Sequence, residues 1–327
     1  MTEFIKVLRA SLPQVAKTAW KRASQRLLML RLDLTGADQA GRIRAERHLR
    51  GREQFGRLKR ADAVVVSYGK SGRTWLRVMI SRLYQQAYDL PRDITIGFDN
   101  FHNLDRRIPR LFFTHDNYVA DYTGNTGSKV DFYDKKVLLM VRDPRDVAVS
   151  QFFQWRFRMR PAKKLLNQYP PHGEDCTIFD FVCHEGGGLP KIIDFMNLWA
   201  REMHHVRGFE LIRYEDLRAD PHKTLSRVAR FLEIPASAAQ IQDAVDYASY
   251  ENMKKKEADQ SFRMSGARLT PGDRGNPDSY KVRRAKVGGY HDYLDDDQIR
   301  HIDRMMADTL DPVFGYAPSD PPDMRAV

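Results

Sequence analysis

Ala63-Val64-Val65-Val66-Ser67-Tyr68-Gly69-Lys70-Ser71-Gly72-Arg73-Thr74-Trp75 is the stretch on which the fold turns. A β-branched run enters a glycine-containing turn, and apolar positions at Leu76, Ile80, Leu83 and Tyr84 then recur at helical spacing, so the segment reads strand, tight loop, helix. The glycines let the chain turn sharply, consecutive N–H groups converge on an anion, and the helix aims its positive end at the same point. Lys70 adds a full charge, and Ser71 and Thr74 add donors. The loop is a phosphate cradle. The common ATPase and GTPase loop needs a glycine four residues before its Gly-Lys-Ser/Thr end, whereas here Lys70 precedes Gly72, which disfavours both classes.

Three further apolar runs end abruptly in polar residues. Leu111–Thr114 stops at His115, Lys136–Val141 at Arg142-Asp143-Pro144, and Phe209–Ile212 at Arg213-Tyr214-Glu215-Asp216, the last followed by a helical pattern to Leu232. Strands alternating with helices predict an α/β fold of three layers, α/β/α, around a central parallel sheet. In such sheets ligands bind beyond the carboxyl ends of the strands. Those ends carry Lys70, His115, Arg142 and Tyr214, the side chains that anion binding and proton transfer require. Asp295-Asp296-Asp297 reads as the start of a final helix, whose dipole they complement.

The chain has 327 residues and is 42% apolar, enough for one large domain or two small ones. It has no apolar run long enough to span a bilayer and no signal-peptide pattern, which predicts a soluble, cytoplasmic protein. Cys176 and Cys183 lie outside any metal-ligand spacing and are expected to be reduced thiols, with no metal site. Residues 1–60 hold 15 Lys and Arg against 5 Asp and Glu, a surplus of ten out of the net charge of +11. This predicts a basic N-terminal extension, 1–60, joined to a balanced body, 61–327. Within it Phe4, Leu8, Leu12, Val15 and Ala19 recur at helical spacing, with Pro13 bending the run after a Ser11 cap. Such a helix either lies peripherally on an anionic inner-membrane surface, docks on a partner, or packs its stripe on the body. No nucleic-acid-reading motif accompanies the charge, so no nucleic-acid partner is expected.

The run Lys70-Ser71-Gly72-Arg73-Thr74-Trp75 resembles the first motif of the cytosolic sulfotransferase family, which reads lysine, serine, glycine, threonine, threonine, tryptophan; Arg73 departs from it. Val141–Ser150 resembles the family's 3′-phosphate-binding segment. There Asp143 caps a helix and Pro144 suits its first turn, while Arg142 forks onto a phosphate that the Ser150 hydroxyl also bonds. Arg145 and Asp146 belong to the matching run too, although an exposed pair one turn into a helix would look identical. Tyr214-Glu215-Asp216 and Ser249–Lys254 resemble later family segments, which implies that Tyr214 frames the nucleotide and that Tyr250 stacks on adenine opposite Trp75. Arg283-Arg284-Ala285-Lys286-Val287-Gly288-Gly289-Tyr290 resembles the closing segment, with Ala285, Gly289 and Tyr290 replacing glycine, aspartate and tryptophan. The resemblance implies the P-loop-nucleotide-kinase-like sulfotransferase fold, the donor PAPS (3′-phosphoadenosine 5′-phosphosulfate), the product PAP, and no metal.

Sulfuryl transfer needs in-line positioning, neutralisation of the leaving phosphate and a base for the acceptor proton. Arg110–His115 resembles the family strand ending lysine, threonine, histidine, with Phe113 in place of the lysine. By resemblance His115 is the general base, and Lys70 and Ser150 complete the catalytic set. Without the resemblance, a histidine after a strand is ordinarily structural. The rivals are a nucleotide-dependent phosphotransferase of related fold and a catalytically silent PAPS-binding or membrane-docking protein. The acceptor is read as a hydroxyl or amine on a small or lipid-like molecule. Phe98, Phe101, Tyr118, Phe153 and Trp155 either line an apolar acceptor pocket or belong to the core. The family's dimer signature is not visible near the C-terminus, which leaves the oligomeric state open.

Overall fold

The four apolar runs become four parallel strands, β1 (Ala63–Ser67), β2 (Leu111–Thr114), β3 (Lys136–Val141) and β4 (Gly208–Arg213), in the order β2-β1-β3-β4. The structure is a computed structural model and describes residues 36–262 and 269–316, with four isolated positions before them. Val65 stands opposite Phe113 on one side and Leu138 on the other, which aligns the carboxyl ends of β1, β2 and β3 along one edge. Alternation along the strands feeds two cores. Val64, Val66, Val137 and Leu139 face one, and Val65, Leu138, Met140 and Ile212 face the other. The sheet is therefore buried on both sides, as continuous apolar runs require.

The first helix, α1 (Gln39–Arg60), packs on the body. Leu58 is fully buried, and Arg47 holds Asp121 through two bonds of 2.8 and 2.9 Å. A Cβ at Gly51 would lie 2.2 Å from the Tyr118 carbonyl oxygen, so glycine lets α1 approach that closely. Residues 39–60 of the basic segment are thus joined to the sheet domain. The stripe from Phe4 to Ala19 lies outside the described residues.

Helix α2 (Arg73–Ala87) follows the cradle, and α3 (Pro144–Phe157) follows β3, with Asp143 accepting from the Arg145 N–H and Pro144 in the first turn. Helix α4 (Leu189–Glu202) adds to the α3 side of the sheet. Beyond β4 come α5 (Tyr214–Ala219), α6 (Pro221–Phe231), α7 (Ala238–Tyr247) and α8 (Tyr250–Ala258) on the α2 side. Helix α9 (Asp296–Thr309) starts in a capping box between Asp295 and Gln298, at the acidic cluster predicted to begin it. Among the described residues no helix is long and apolar enough to cross a membrane.

Candidate active site

The strand ends open into one cleft of about 490 Å³, lined by Lys70, Trp75, His115, Arg142, Ser150 and Tyr214 among others. At its floor Gly72 takes φ 93° as the residue before α2. A Cβ there would sit 2.6 Å from the Tyr214 ring and 2.8 Å from Met140 Cε, so only glycine fits. Lys70 itself sits at φ 71°, a strained conformation for a residue with a side chain. Burial, then the charges of Lys281, Arg158, Arg283 and Arg142, push its ammonium down to about 7. Ser71 departs from expectation. It is buried, borders a small internal space beside Met140 and Ile192, and is not among the residues that line the cleft.

Arg142 leaves the tip of β3 and is fixed on three sides. It donates to Asp146 (3.0 Å) and to the Lys286 carbonyl (2.8 Å), and its guanidinium lies 4.4 Å from the Tyr214 ring centroid. Its Nε is buried and finds no acceptor among the described residues. Of the two readings open for Asp146, the exposed pair does not hold. Asp146 is 3% exposed and also accepts the Gly288 and Tyr290 N–H groups, each at 3.0 Å, while Arg145 pairs with Asp143 (2.7 Å) and Asp303 (2.5 Å). Sequence reasoning missed this role, although the four-residue spacing from Arg142 was a signal for the pair.

The basic closing segment is strapped across the cleft at both ends. Glu257 of α8, fully buried, accepts the Lys281 and Val282 N–H groups at 2.7 and 2.8 Å, and Asp146 holds the other end. Between them Arg283 lies 3.4 Å from the Phe153 ring centroid and donates to the Tyr293 hydroxyl (2.9 Å). Arg284 pairs with Asp292 (2.8 Å) and is more than half exposed, and Ala285 takes φ 52°. The position at which the family carries glycine is thus a left-handed one. Lys281, which sequence reasoning passed over, lines the cleft, and burial followed by the charges of Arg158, Arg73 and Arg77 pushes it down to about 7.

At the aromatic end Trp75 donates to the Ala248 carbonyl (2.7 Å) and meets Tyr214 edge-on, with ring centroids 5.9 Å apart. Tyr250 also lines the cleft, its hydroxyl donating to the Arg283 carbonyl (3.0 Å). At the other end His115 Nδ1 is 2.8 Å from the Ser67 carbonyl oxygen, which can only accept. This assigns the proton to Nδ1 and leaves Nε2 as the lone-pair nitrogen. Arg73 Nη2 donates to Nε2 at 2.6 Å. Burial first, and the Arg73 charge second, hold the imidazole well below the usual histidine range. Where the family has lysine, Phe113 carries the Arg77 guanidinium over its ring at 3.9 Å.

The sulfotransferase domain family matches residues 60–313. The chain belongs to this family. Among curated sulfotransferases it is 25% identical over 269 residues to cytosolic sulfotransferase 3 of Arabidopsis thaliana, covering 76% of each chain. It is 22% identical over 280 residues to human sulfotransferase 2A1, covering 82% of this chain and 90% of that protein. Among solved sulfotransferase-like folds it is similar to mouse sulfotransferase SULT7A1 complexed with PAP (TM-score 0.52, 22% identity, 79% of this chain and 89% of that one). It is also similar to retinol dehydratase in complex with retinol and PAP (TM-score 0.54, 20% identity, 76% and 80%). In this sulfotransferase, Lys70, Gly72, Arg73, Thr74, Trp75, His115, Arg142, Ser150, Tyr214, Tyr250, Arg283, Arg284 and Ala285 all line one cleft. The five aromatics offered for an acceptor pocket do not line it. Phe101, Tyr118, Phe153 and Trp155 are buried, and Phe98 packs against the core.

Proposed function

We propose that the protein transfers a sulfuryl group from PAPS to a hydroxyl or amine of a small-molecule acceptor, in the cytoplasm, and releases PAP. One observation carries the reading: a glycine-turned phosphate cradle, a cationic strap and a histidine with its lone pair on Nε2 share one cleft. The residues present fit a polyanion. Arg142 keeps a buried Nε without an acceptor among the described residues, and burial together with neighbouring cations holds Lys70 and Lys281 down at about 7, a cost that a bound anion would relieve. The donor supplies a sulfuryl group bonded to a phosphate leaving group.

In this proposal Lys70 and the cradle N–H groups hold the 5′ end, and Lys70 neutralises the departing phosphate oxygen. Arg142, Ser150, Arg283, Arg284 and the backbone at Ala285 hold the 3′-phosphate, while Trp75, Tyr214 and Tyr250 frame the base. His115 Nε2 takes the acceptor proton as the new oxygen–sulfur bond forms and the sulfur–oxygen bond to the 5′-phosphate breaks. Arg73 must swing off Nε2 for this, and the sulfuryl oxygens are a natural partner for it, in the region where Phe113 has displaced the family's lysine. Retinol dehydratase was solved with retinol, an apolar alcohol. A lipid-like acceptor or membrane contact for this chain draws on the basic segment before residue 39, since residues 39–60 pack on the body. The free cysteines Cys176 and Cys183 suit the reducing cytoplasm.

Calorimetric titration with PAP, beside ATP, tests the donor site. Micromolar PAP binding weakened at least tenfold by Lys70→Ala and by Arg142→Ala, with ATP much weaker, is expected. Absence of PAP binding overturns the proposal.

A further inference from the structure

Two lysines that line the cleft have no carboxylate partner among the described residues. Lys163 lies on the short helix Pro161–Leu166, and Lys191 lies in the first turn of α4; both line the cleft. Lys191 donates to the Asn167 and Gly186 carbonyls at 2.8 and 2.9 Å, which leaves a third ammonium proton. Among the described residues neither lysine forms an ion pair. Burial pushes Lys191 down to about 8, helped by the Arg47 charge, while Lys163 is exposed on its short helix.

Geometry ties both to the His115 side of the cleft. Lys191 Nζ donates to the Asn167 carbonyl, the Asn167 amide donates to the Lys163 carbonyl (2.9 Å), and Asn167 Oδ1 accepts from the hydroxyl of Tyr118, three residues beyond His115 (2.8 Å). Asp146 is the only carboxylate lining the cleft among the described residues, and Arg142 and two N–H groups already use it. Asn117, Gln154 and Tyr169 add further polar lining. A hydrocarbon acceptor would strip water from these groups and return no hydrogen bonds. An anion beside the reacting hydroxyl would offset the repulsion that Lys191 meets from Arg47 and give both ammonium groups a counter-charge.

We propose that the acceptor is a small polar molecule bearing a phosphate, sulfate or carboxylate, which Lys163 and Lys191 hold while its hydroxyl faces His115. This rests on the proposed sulfotransferase reading and adds the acceptor's class to it. Mixed lining by Phe113 and Met159 leaves room for an apolar portion between the two polar ends.

The test uses the full chain saturated with PAP, so that the donor's anion sites are filled, and titrates inorganic phosphate by calorimetry. One saturable phosphate site is expected, weakened at least tenfold by the Lys163→Ala/Lys191→Ala pair. Lys163→Ala alone, at a solvent-facing helix position, is expected to weaken it at least threefold and serves if the double variant fails to fold. No saturable phosphate binding, or binding indifferent to these substitutions, overturns the proposal. Failure of PAP itself to bind is a different result, and it removes the donor reading beneath.

Discussion

Arg73 Nη2 donates to His115 Nε2 across 2.6 Å, so the nitrogen proposed to take the acceptor's proton is capped by a positive charge. That charge is the second cause, after burial, of the imidazole's low basicity. A base is lost when it is protonated, so activity falls as pH drops through the histidine pKa, here well below 6.5. Arg73→Ala removes a neighbour that disfavours the imidazolium, and the acid limb of kcat/KM moves to higher pH. Arg73→Lys holds it lower. A limb that does not move with Arg73→Ala would mean that the titrating group is not His115.

The lysines of the donor site give a second signature. Lys70 and Lys281 sit near 7, so at pH 8 both are largely neutral in the free protein. A bound polyanion favours their charged forms and raises both pKa values, and binding therefore takes up protons above pH 7. PAP titrated at pH 8 in buffers of different ionisation enthalpy is expected to show net uptake. Lys70→Met is expected to remove about half of it, because two groups of similar basicity share the effect. Zero uptake at pH 8 would place these lysines near their ordinary range.

The strand ends that build the site were legible because each apolar run meets a polar residue where its strand stops, as at Thr114 before His115 and Val141 before Arg142. Parallel order then brings those ends to one edge without further information. What the chain did not display locally was side-chain direction. Ser71 sits between Lys70 and Gly72, both at positive φ, and does not line the cleft, which no spacing rule reports. Phe101 and Trp155 look alike as core or as pocket, since an aromatic on a helix is apolar in either setting. Lys163 and Lys191 come from separate helices and meet only through tertiary packing.

Asp146 carries the donor site's alignment. Its two oxygens receive three donors: Arg142, the Gly288 N–H and the Tyr290 N–H. Asp146→Asn keeps the shape but turns one acceptor into an NH₂ group, which then faces a donor. Removing one partner of a buried pair costs about 3 kcal/mol. Asp146→Asn is expected to lower stability by an amount of that order in urea and to weaken PAP at least tenfold. Unchanged PAP affinity in a folded variant would show that the strap does not depend on this carboxylate.

Two positions with left-handed backbone are expected to respond in opposite directions, because only one of them is already glycine. At Gly72, φ is 93° and a Cβ would lie 2.6 Å from the Tyr214 ring, so Gly72→Ala adds strain and a clash beneath the cradle. PAP binding is expected to fall at least tenfold. At Ala285, φ is 52°, and the side chain already bears the left-handed cost of about 1–2 kcal/mol. Ala285→Gly removes that cost while adding about 0.4–1 kcal/mol of unfolded-chain freedom. The net is a gain of up to about 1.6 kcal/mol, or roughly 3 °C in Tm. Ala285→Val does the reverse, since β-branching is worse at positive φ. A lower Tm for Ala285→Gly would mean that the closing segment does not take this turn, and the backbone contact proposed there for the 3′-phosphate would go with it.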